Sequence, residues 1–434
     1  MIILTGKYTT AKVMIDNVEE EAIAQITKFL NMPPFTNPVA IMSDVHAGKG
    51  SVVGFTMPLT DKVVPNVVGV DIGCGLLSVC IGKTMPFSLE LLDHRIRQRI
   101  PFGMNTHDRA VIDMKKDFPW HQVNVLAQKF TVAYREKYGE INPPTYDMNW
   151  FEGKCDSIGG SLGRHIQSIA TIGGGNHFYE VGICQEGNYW MTVHTGSRNF
   201  GLRICEYWQN KAAKFCHNDR KSIIQDKIKE LKATLTGEEL FHAIKSLKAE
   251  AKPTVDLTDC EWLEGPDAAG YLFDMIFAQV YAETNRKVIT DLILNSLDLK
   301  PVRTIQTVHN FIDFRDFIIR KGAIRSYIGE EMVIPFNMRD GMLICEGRSN
   351  PEWNYSAPHG CGRIMSRSKA KKTLSMEEFK NQMEGIYSNS VVESTLDEAP
   401  GAYKDPQIIE AAIEPTAKIL NRVKPVLNMK DTGK

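Results

Sequence analysis

A chain of 434 residues, 43% hydrophobic and 24% charged, has the composition of an ordinary globular enzyme and enough length to bury a large core. A formal net charge of −1 excludes a globally basic coat for nucleic acid, so any polyanion site has to be a local patch. No apolar run reaches the length of a membrane span, the N-terminus lacks a signal-peptide pattern, and nine scattered cysteines do not form a disulfide framework; a reducing cytoplasm is the expected location.

Along the first 85 residues, short apolar runs alternate with Gly/Pro/Asp turns, and Val39 to Met42 and Val67 to Val70 read as short buried strands. Residues of about 88–138 read as mostly helical, broken at Pro101 and Pro119. Glycine-punctuated strands are expected from 156 to 200, including Tyr189 to Val193. Residues of about 203–250 are Lys/Glu-rich, with Ile223, Ile224, Ile228, Leu231 and Leu235 at helical spacing. After a Thr236-Gly237 break, Leu240, Ile244 and Leu247 continue the pattern, which predicts a projecting helical hairpin. Its charges read as a solvated face, with RNA contact the alternative. A long helix from Ala268 to Leu297, strands through 302–346, and a helical final 60 residues ending in an extended tail complete the pass. Because the candidate ligands described next run from 71 to 309, the expected architecture is α+β, a single interwoven domain over 1–434.

Chemistry concentrates in glycine-rich segments. Asp71-Ile-Gly-Cys74, Gly-Gly-Gly-Asn176-His177, Val193-His194-Thr-Gly-Ser-Arg198 and His309-Asn310 supply one carboxylate, one thiolate and three imidazoles. Such donors suit Mn, Fe, Co or Zn, and a bridging thiolate lets five side chains serve two ions with positions left for water or phosphate oxygens. Gly73 permits the tight turn that points Asp71 and Cys74 to one place. Any one of these residues alone reads as a satisfied interior side chain; five in Gly/Asn-rich strand ends do not. Asp44-Val-His46 followed by Gly-Asn-His is also similar to two-metal phosphoesterases, but their bridging Gly-Asp-x-x-Asp element has no counterpart in a chain without a Gly-Asp dipeptide. Neither a Gly-x-x-x-x-Gly-Lys-Ser/Thr loop nor a Lys-x-Asp-Gly nucleophile motif is present, and Ala47-Gly-Lys-Gly-Ser51 reads as an ordinary turn. His359, in Ala357-Pro-His359-Gly-Cys-Gly-Arg363, is the candidate nucleophile in a flexible turn. Gly360 and Gly362 leave room for a phosphate, and Arg363 and Arg367 share a face if helical, with Lys369, Lys371 and Lys372 extending the charge. A plain basic helix start is the competing reading.

In combination, Asp71-Ile-Gly-Cys74-Gly, Gly-Gly-Gly-Asn176-His177-Phe-x-Glu180, His194-x-Gly-Ser-Arg198, His309-Asn310 and His359-Gly-x-Gly-Arg363-x-x-Ser-Arg367 resemble the RtcB family of RNA ligases. Glu398-Ala-Pro-Gly-Ala-Tyr403-Lys-Asp405 and Lys430 fit as well, so the resemblance covers nearly the whole chain. It implies an RtcB-like fold of mixed β-sheets with surrounding helices. It also implies a GTP- and Mn2+-dependent enzyme that joins RNA 2′,3′-cyclic phosphate or 3′-phosphate ends to 5′-hydroxyl ends. On that likeness Asp71, Cys74 and His177 hold one manganese, and Cys74, His194 and His309 the other. His359 takes GMP from GTP, GMP passes to the RNA 3′-phosphate, and the 5′-hydroxyl displaces it. Asn176 contacts the nucleotide phosphates and Phe178, Glu180, Tyr403 and Lys430 hold guanosine, with His309 and Asn310 also at the nucleotide. Arg198, Arg363 and Arg367 are the implied RNA or phosphate contacts. A carboxylate at Glu180 accepts from both N1–H and the 2-amino group of guanine, a donor pair adenine lacks.

RNA and GTP are the implied partners, with an archease-type activator as a further candidate, no membrane, and a monomer or homodimer. Two departures stand out. The family pattern Ile-Pro-Gly-x-Met-Gly reads Ile334-Pro-Phe-Asn337-Met-Arg-Asp-Gly341 here, and Cys361 replaces the alanine of His-Gly-Ala-Gly-Arg. The loop is expected to alter the nucleotide contacts around 335–341, whereas Cys361 is a small change that leaves the turn intact and adds an oxidisable thiol; a divergent bacterial-type branch working in RNA repair rather than tRNA splicing is the expectation. The alternative function is a two-metal phosphoesterase or cyclic phosphodiesterase acting on RNA ends, which needs neither GTP nor His359. A purely RNA-binding protein is disfavoured by the near-zero net charge.

Overall fold

Apolar runs bounded by turns pair into two large sheets, seen in a computed structural model that describes residues 1–250 and 256–433, apart from the side chains of 218–224 and 248–250. The first is a seven-stranded antiparallel sheet. Its order is Glu331–Pro335, Met342–Gly347, Ala417–Met429, Phe178–Cys184, Tyr189–Thr195, Gly75–Gly82, Arg303–Val308. Its two edge strands approach each other, with Val333 N–H donating to Thr307 Oγ1 at 3.0 Å, so the sheet curls into a nearly closed barrel. Period-two alternation sorts the side chains. Leu76, Phe178, Trp190, Val333, Ile344 and Val423 cluster on one face. Tyr179, Val181, Met191, Val193, Leu427 and Met429 lie in a second cluster with Ile289 and Ile293 of the helix Gly265–Ser296.

The second sheet has six strands, in the order Ile2–Thr5, Thr10–Val13, Val39–His46, Val53–Pro58, Ile318–Lys321, Asn310–Asp313. The two sheets are interleaved in sequence, because Asn310–Asp313 and Ile318–Lys321 leave the barrel's Arg303–Val308 before Glu331–Pro335 returns to it. A short ribbon of Ala323–Arg325 paired with Ser356–Pro358 carries the chain toward His359. The fold is α+β, as expected. Gly265–Ser296, apolar nearly all round, is buried along most of its 32 residues. The helices Arg198–Thr234 and Gly237–Glu250 form the expected excursion; the stripe positions Ile223 and Ile224 lie outside the described side chains.

Three expectations need correction. Val67 to Val70 is not a strand: Pro65 starts a 3-10 turn over Pro65–Val67, where its fixed φ suits the first helical position. The stretch from 156 begins in helix, since Asp147 and Ser161 cap Met148–Ile158 and Leu162–Gln167 by accepting from the Trp150 and Arg164 backbone N–H groups. The last 60 residues hold only short helices, and the extended tail is the 13-residue strand Ala417–Met429 in the middle of the barrel sheet.

Candidate metal and nucleotide centre

Strand register assembles the donors. His194 lies opposite both Leu76 and Phe178, so Cys74, just before Gly75–Gly82, and His177, just before Phe178–Cys184, arrive at the same end of the barrel. His309 follows Arg303–Val308 on the other side of Gly75–Gly82. Cys74 Sγ stands 3.3 Å from His177 Nε2 and 3.3 Å from His194 Nε2. His194 Nε2 is 3.3 Å from His309 Nε2, and His177 Nε2 is 2.8 Å from Asp71 Oδ2. The five side chains form two groups that share the thiol: Asp71, Cys74, His177 and Cys74, His194, His309. The turn between Asp71 and Cys74 needs glycine, since Gly73 has φ +73° and a Cβ there would meet the Gly265–Ser296 helix at Gln279 and Ala282.

The electrostatics of this cluster fit a cation. Burial, and then the charge of Asp71, push the Cys74 thiol well above its ordinary value. Burial holds His194 and His309 well below theirs. Burial opposes an ionised Asp71, yet the charge and hydrogen bond of His177 hold its carboxyl below the usual carboxylate range. Neutral imidazoles are the ligating form, and a buried thiolate is tenable beside a metal ion that deprotonates it. Behind the cluster, Arg286 Nη1 donates to Gly73 O and Thr195 O at 2.7 and 2.9 Å, tying the ligand turn to the neighbouring strand.

His359 reaches this centre from elsewhere. Its ring centroid lies 4.7 Å from that of His309. Asp44, fully buried at the end of Val39–His46, accepts from both the His359 backbone N–H (3.1 Å) and Nδ1 (2.5 Å) through Oδ2. With Nδ1 so engaged, Nε2 is left as the free nitrogen. Asp44 thus serves the histidine rather than a metal pair, and neither Asp44 nor His46 belongs to the two donor groups found among the described residues. His46 is pushed down to about 4 by burial and bonds the Asp44 carbonyl at 2.9 Å. Lys404 Nζ donates to the carbonyls of Ser43 and Val45, clamping the strand end that holds Asp44. Gly362, expected to make room for phosphate, has another role: a Cβ there would sit 2.4 Å from Asp44 O. Its bare backbone lets the His359 turn lie against the Asp44 strand.

A cavity of 650 Å³ opens over the centre, with Asp71, His194, His309 and His359 in its wall together with Glu180 and Lys430. Phe178 and Glu180 share one face of their strand and line it, while exposed Asn176 sits at its rim. Lys430 Nζ is 5.5 Å from the Phe178 ring centroid and 3.0 Å from Glu398 Oε2. Tyr403 OH donates to Glu398 Oε2 at 2.7 Å. Asn310 lines the cavity and accepts from the Gly322 N–H through Oδ1.

The expected arginine set is only partly in this cavity. Arg363 and Arg367 line it but do not share a helical face, because the helix begins at Arg367. They converge instead through Glu398, at 3.4 and 2.5 Å. Arg198 is turned behind His177, with Nη1 3.4 Å from its Nδ1 and Nη2 donating to Gly103 O. Asp44, Glu398 and Asn428 are the site residues that sequence reasoning did not assign. Glu398 is buried and gathers Lys430, Arg367, Arg363 and Tyr403; although burial opposes ionisation, those cations bring it down to about 2. Among the described residues no helix is long and apolar enough to cross a membrane.

A family model described as tRNA-splicing ligase RtcB matches residues 25–431. The RNA-splicing ligase RtcB of Escherichia coli (strain K12) is 28% identical over 441 residues, covering 95% of each chain. The tRNA-splicing ligase RtcB of Nanoarchaeum equitans is 24% identical over 490 residues, covering 98% of this chain and 94% of its own. The RNA-splicing ligase RtcB of Mycobacterium tuberculosis is 24% identical over 448 residues, covering 89% and 95%.

Proposed function

The chain belongs to the RtcB family, and we propose that it is a GTP- and Mn2+-dependent RNA ligase that joins 3′-phosphate or 2′,3′-cyclic phosphate ends to 5′-hydroxyl ends. The carrying observation is His359, ring to ring with the ligand His309 and fixed through Nδ1 by a buried carboxylate. An imidazole held with its proton toward Asp44 presents the Nε2 lone pair as a nucleophile, while the carboxylate stabilises the charge that develops on the ring.

Guanosine enters against Phe178, with Glu180 receiving donors from the base. His359 Nε2 forms a bond to the α-phosphorus of GTP as the bond to the pyrophosphate oxygen breaks, and the electron pair leaves with pyrophosphate. Asp44 keeps the Nδ1 proton in place throughout. An RNA 3′-phosphate oxygen then displaces His359 from that phosphorus, giving an RNA end capped by GMP. The 5′-hydroxyl of the second RNA attacks the former 3′-phosphate, loses its proton, and releases GMP as the phosphodiester closes. Where the first end is a cyclic phosphate, one water opens it to the 3′-phosphate beforehand. Asp71, Cys74 and His177 would hold one manganese and Cys74, His194 and His309 the other; bound there, the ions supply charge neutralisation and Lewis acidity for phosphate chemistry. Arg363, Arg367 and Lys430, gathered by Glu398, offer a preorganised cationic wall to the phosphates.

The test is incubation with Mn2+ and α-labelled GTP followed by denaturing gel analysis. Acid-labile, alkali-stable label on the protein that disappears in His359→Ala supports the reading. Label that persists in His359→Ala, or no label with any metal, defeats it.

A further inference from the structure

A polar row crosses four strands of the barrel sheet where an apolar interior would be expected. Ser78 lies opposite Thr192, Thr192 opposite Glu180, and Glu180 opposite Asn428. Ser78 and Thr192 satisfy each other, their hydroxyl oxygens 2.8 Å apart. The other half of the row is left open toward the cavity. Asn428 Nδ2 donates to Glu180 Oε2 at 2.8 Å, while Glu180 Oε1 and Asn428 Oδ1 are buried without a partner. Both side chains line the cavity and are almost fully buried, at 2% and 1% exposure. The orientation of the amide follows from chemistry once Glu180 is ionised to accept from a base N–H, since only the amide NH2 can then approach Oε2, which leaves Oδ1 as an acceptor. Two adjacent buried acceptors with no donor are costly unless a ligand supplies both donors. One step along the same face, Phe178 offers the surface on which a planar base can stack.

We infer that Asn428 is a second reader of the guanine base: its Oδ1 accepts from the exocyclic 2-amino group while Glu180 Oε1 accepts from N1–H. The inference rests on the GTP-dependent reading given above and adds a residue to it. Division of labour between the two acceptors has a specific consequence. Adenine lacks both donors and is rejected chiefly at Glu180. Hypoxanthine keeps N1–H and lacks only the 2-amino group, so inosine nucleotides satisfy Glu180 and leave Asn428 Oδ1 orphaned. Discrimination between GTP and ITP therefore belongs to Asn428.

The experiment compares GTP with ITP as guanylyl or inosinyl donors to His359, as kcat/KM for label transfer, in the wild type and in Asn428→Ala. Wild type should prefer GTP about tenfold or more, as expected for one buried acceptor left unpaired. Asn428→Ala should bring the ratio close to one, because both nucleotides lose the Asn428 donor to Glu180 while only GTP also loses the acceptor for its 2-amino group, and ATP remains rejected. Equal use of GTP and ITP by the wild type overturns the inference without recourse to any variant. So does a folded Asn428→Ala protein that keeps the wild-type ratio. Calorimetric binding of GDP and IDP, which needs no chemistry, separates the two levels. Preference for GDP that depends on Asn428, in a protein that takes no label, keeps this assignment and sinks the ligase mechanism. Guanylylation without GDP-over-IDP preference does the reverse.

Discussion

Asp44→Asn is the sharpest test of the proposed role of His359. Asp44 Oδ2 accepts two bonds from His359, from the backbone N–H at 3.1 Å and from Nδ1 at 2.5 Å. Asparagine conserves the volume but offers one acceptor and one NH2 group. If the NH2 takes the place of Oδ2, it confronts Nδ1 and drives the ring proton to Nε2, where it blocks attack. If the oxygen takes that place and keeps both bonds, the charge that stabilised the developing cation is still gone. Hydrogen bonds to charged groups contribute about 1.5–3 kcal/mol, which corresponds to roughly 10- to 150-fold in rate, and a wrong tautomer adds to the loss. The assay is the rate of label transfer from α-labelled GTP, beside the sealing of RNA that already carries the GMP cap. Guanylylation should fall by at least tenfold while sealing of capped RNA stays within a fewfold of wild type. Wild-type labelling in Asp44→Asn refutes the tautomer reasoning. Equal loss of both steps refutes it too, by showing general damage to the site.

Other outcomes follow from the same contacts. Cys74→Ala removes the donor common to both metal groups, so manganese stoichiometry by elemental analysis should drop from two toward zero and labelling should vanish; two bound ions in that variant contradict a shared thiolate. Glu398→Gln leaves Arg363, Arg367 and Lys430 without their buried counter-charge, which should cost about 3–5 kcal/mol in denaturant unfolding. Because the cations hold Glu398 at about 2, below its ordinary value, its contribution is present above the unfolded value and lost as pH falls toward 2, so wild type and variant should converge in acid. Burial, opposed by Asn428 and Lys430, pushes Glu180 up to about 8, whereas guanine donors favour its carboxylate. Guanosine nucleotides should therefore bind with release of a proton at neutral pH, and more tightly as pH rises toward 8, measured by calorimetry in buffers of different ionisation enthalpy.

The convergence of the five candidate donors was legible because each sits in a short glycine-rich motif at a strand end, and strand register does the rest. Local pattern places Cys74, His177 and His194 within a residue or so of a strand end, while their grouping comes from the family resemblance and is made in the structure by the neighbouring strands. Asp44 could not be assigned to His359, because 315 positions separate them and the contact is made between a sheet strand and the turn after a short ribbon. Its one signal was a carboxylate ending a buried apolar strand, which read equally well as part of a metallophosphoesterase motif. Arg363 and Arg367 were expected to meet on a helix; they meet through Glu398 from a distant 3-10 segment, and no spacing rule reaches that far. The tail reads from sequence only as extended, whereas Val423 to Met429 pair within the barrel sheet as part of an interior strand. Without its neighbours in view, period two does not tell a barrel strand from a loose end, and Asn428 was overlooked for that reason.

Two different kinds of contact therefore set the chemistry. The donors are fixed by hydrogen-bonded register within one sheet, where a shift of one residue would turn His194 to the opposite face and dissolve the cluster. His359 is fixed by packing between bodies: it follows Ser356–Pro358, Asp44 lies near the end of a strand of the six-stranded sheet, and the bare Gly362 backbone lets the two meet. His309 joins the systems, since its backbone carbonyl accepts from the Ala323 N–H of the ribbon while its imidazole faces His194. Interleaving of the sheets along the chain follows from this. The connection from Arg303–Val308 through His309 into the second sheet and back by way of the ribbon is what brings a register-built donor cluster within ring contact of His359.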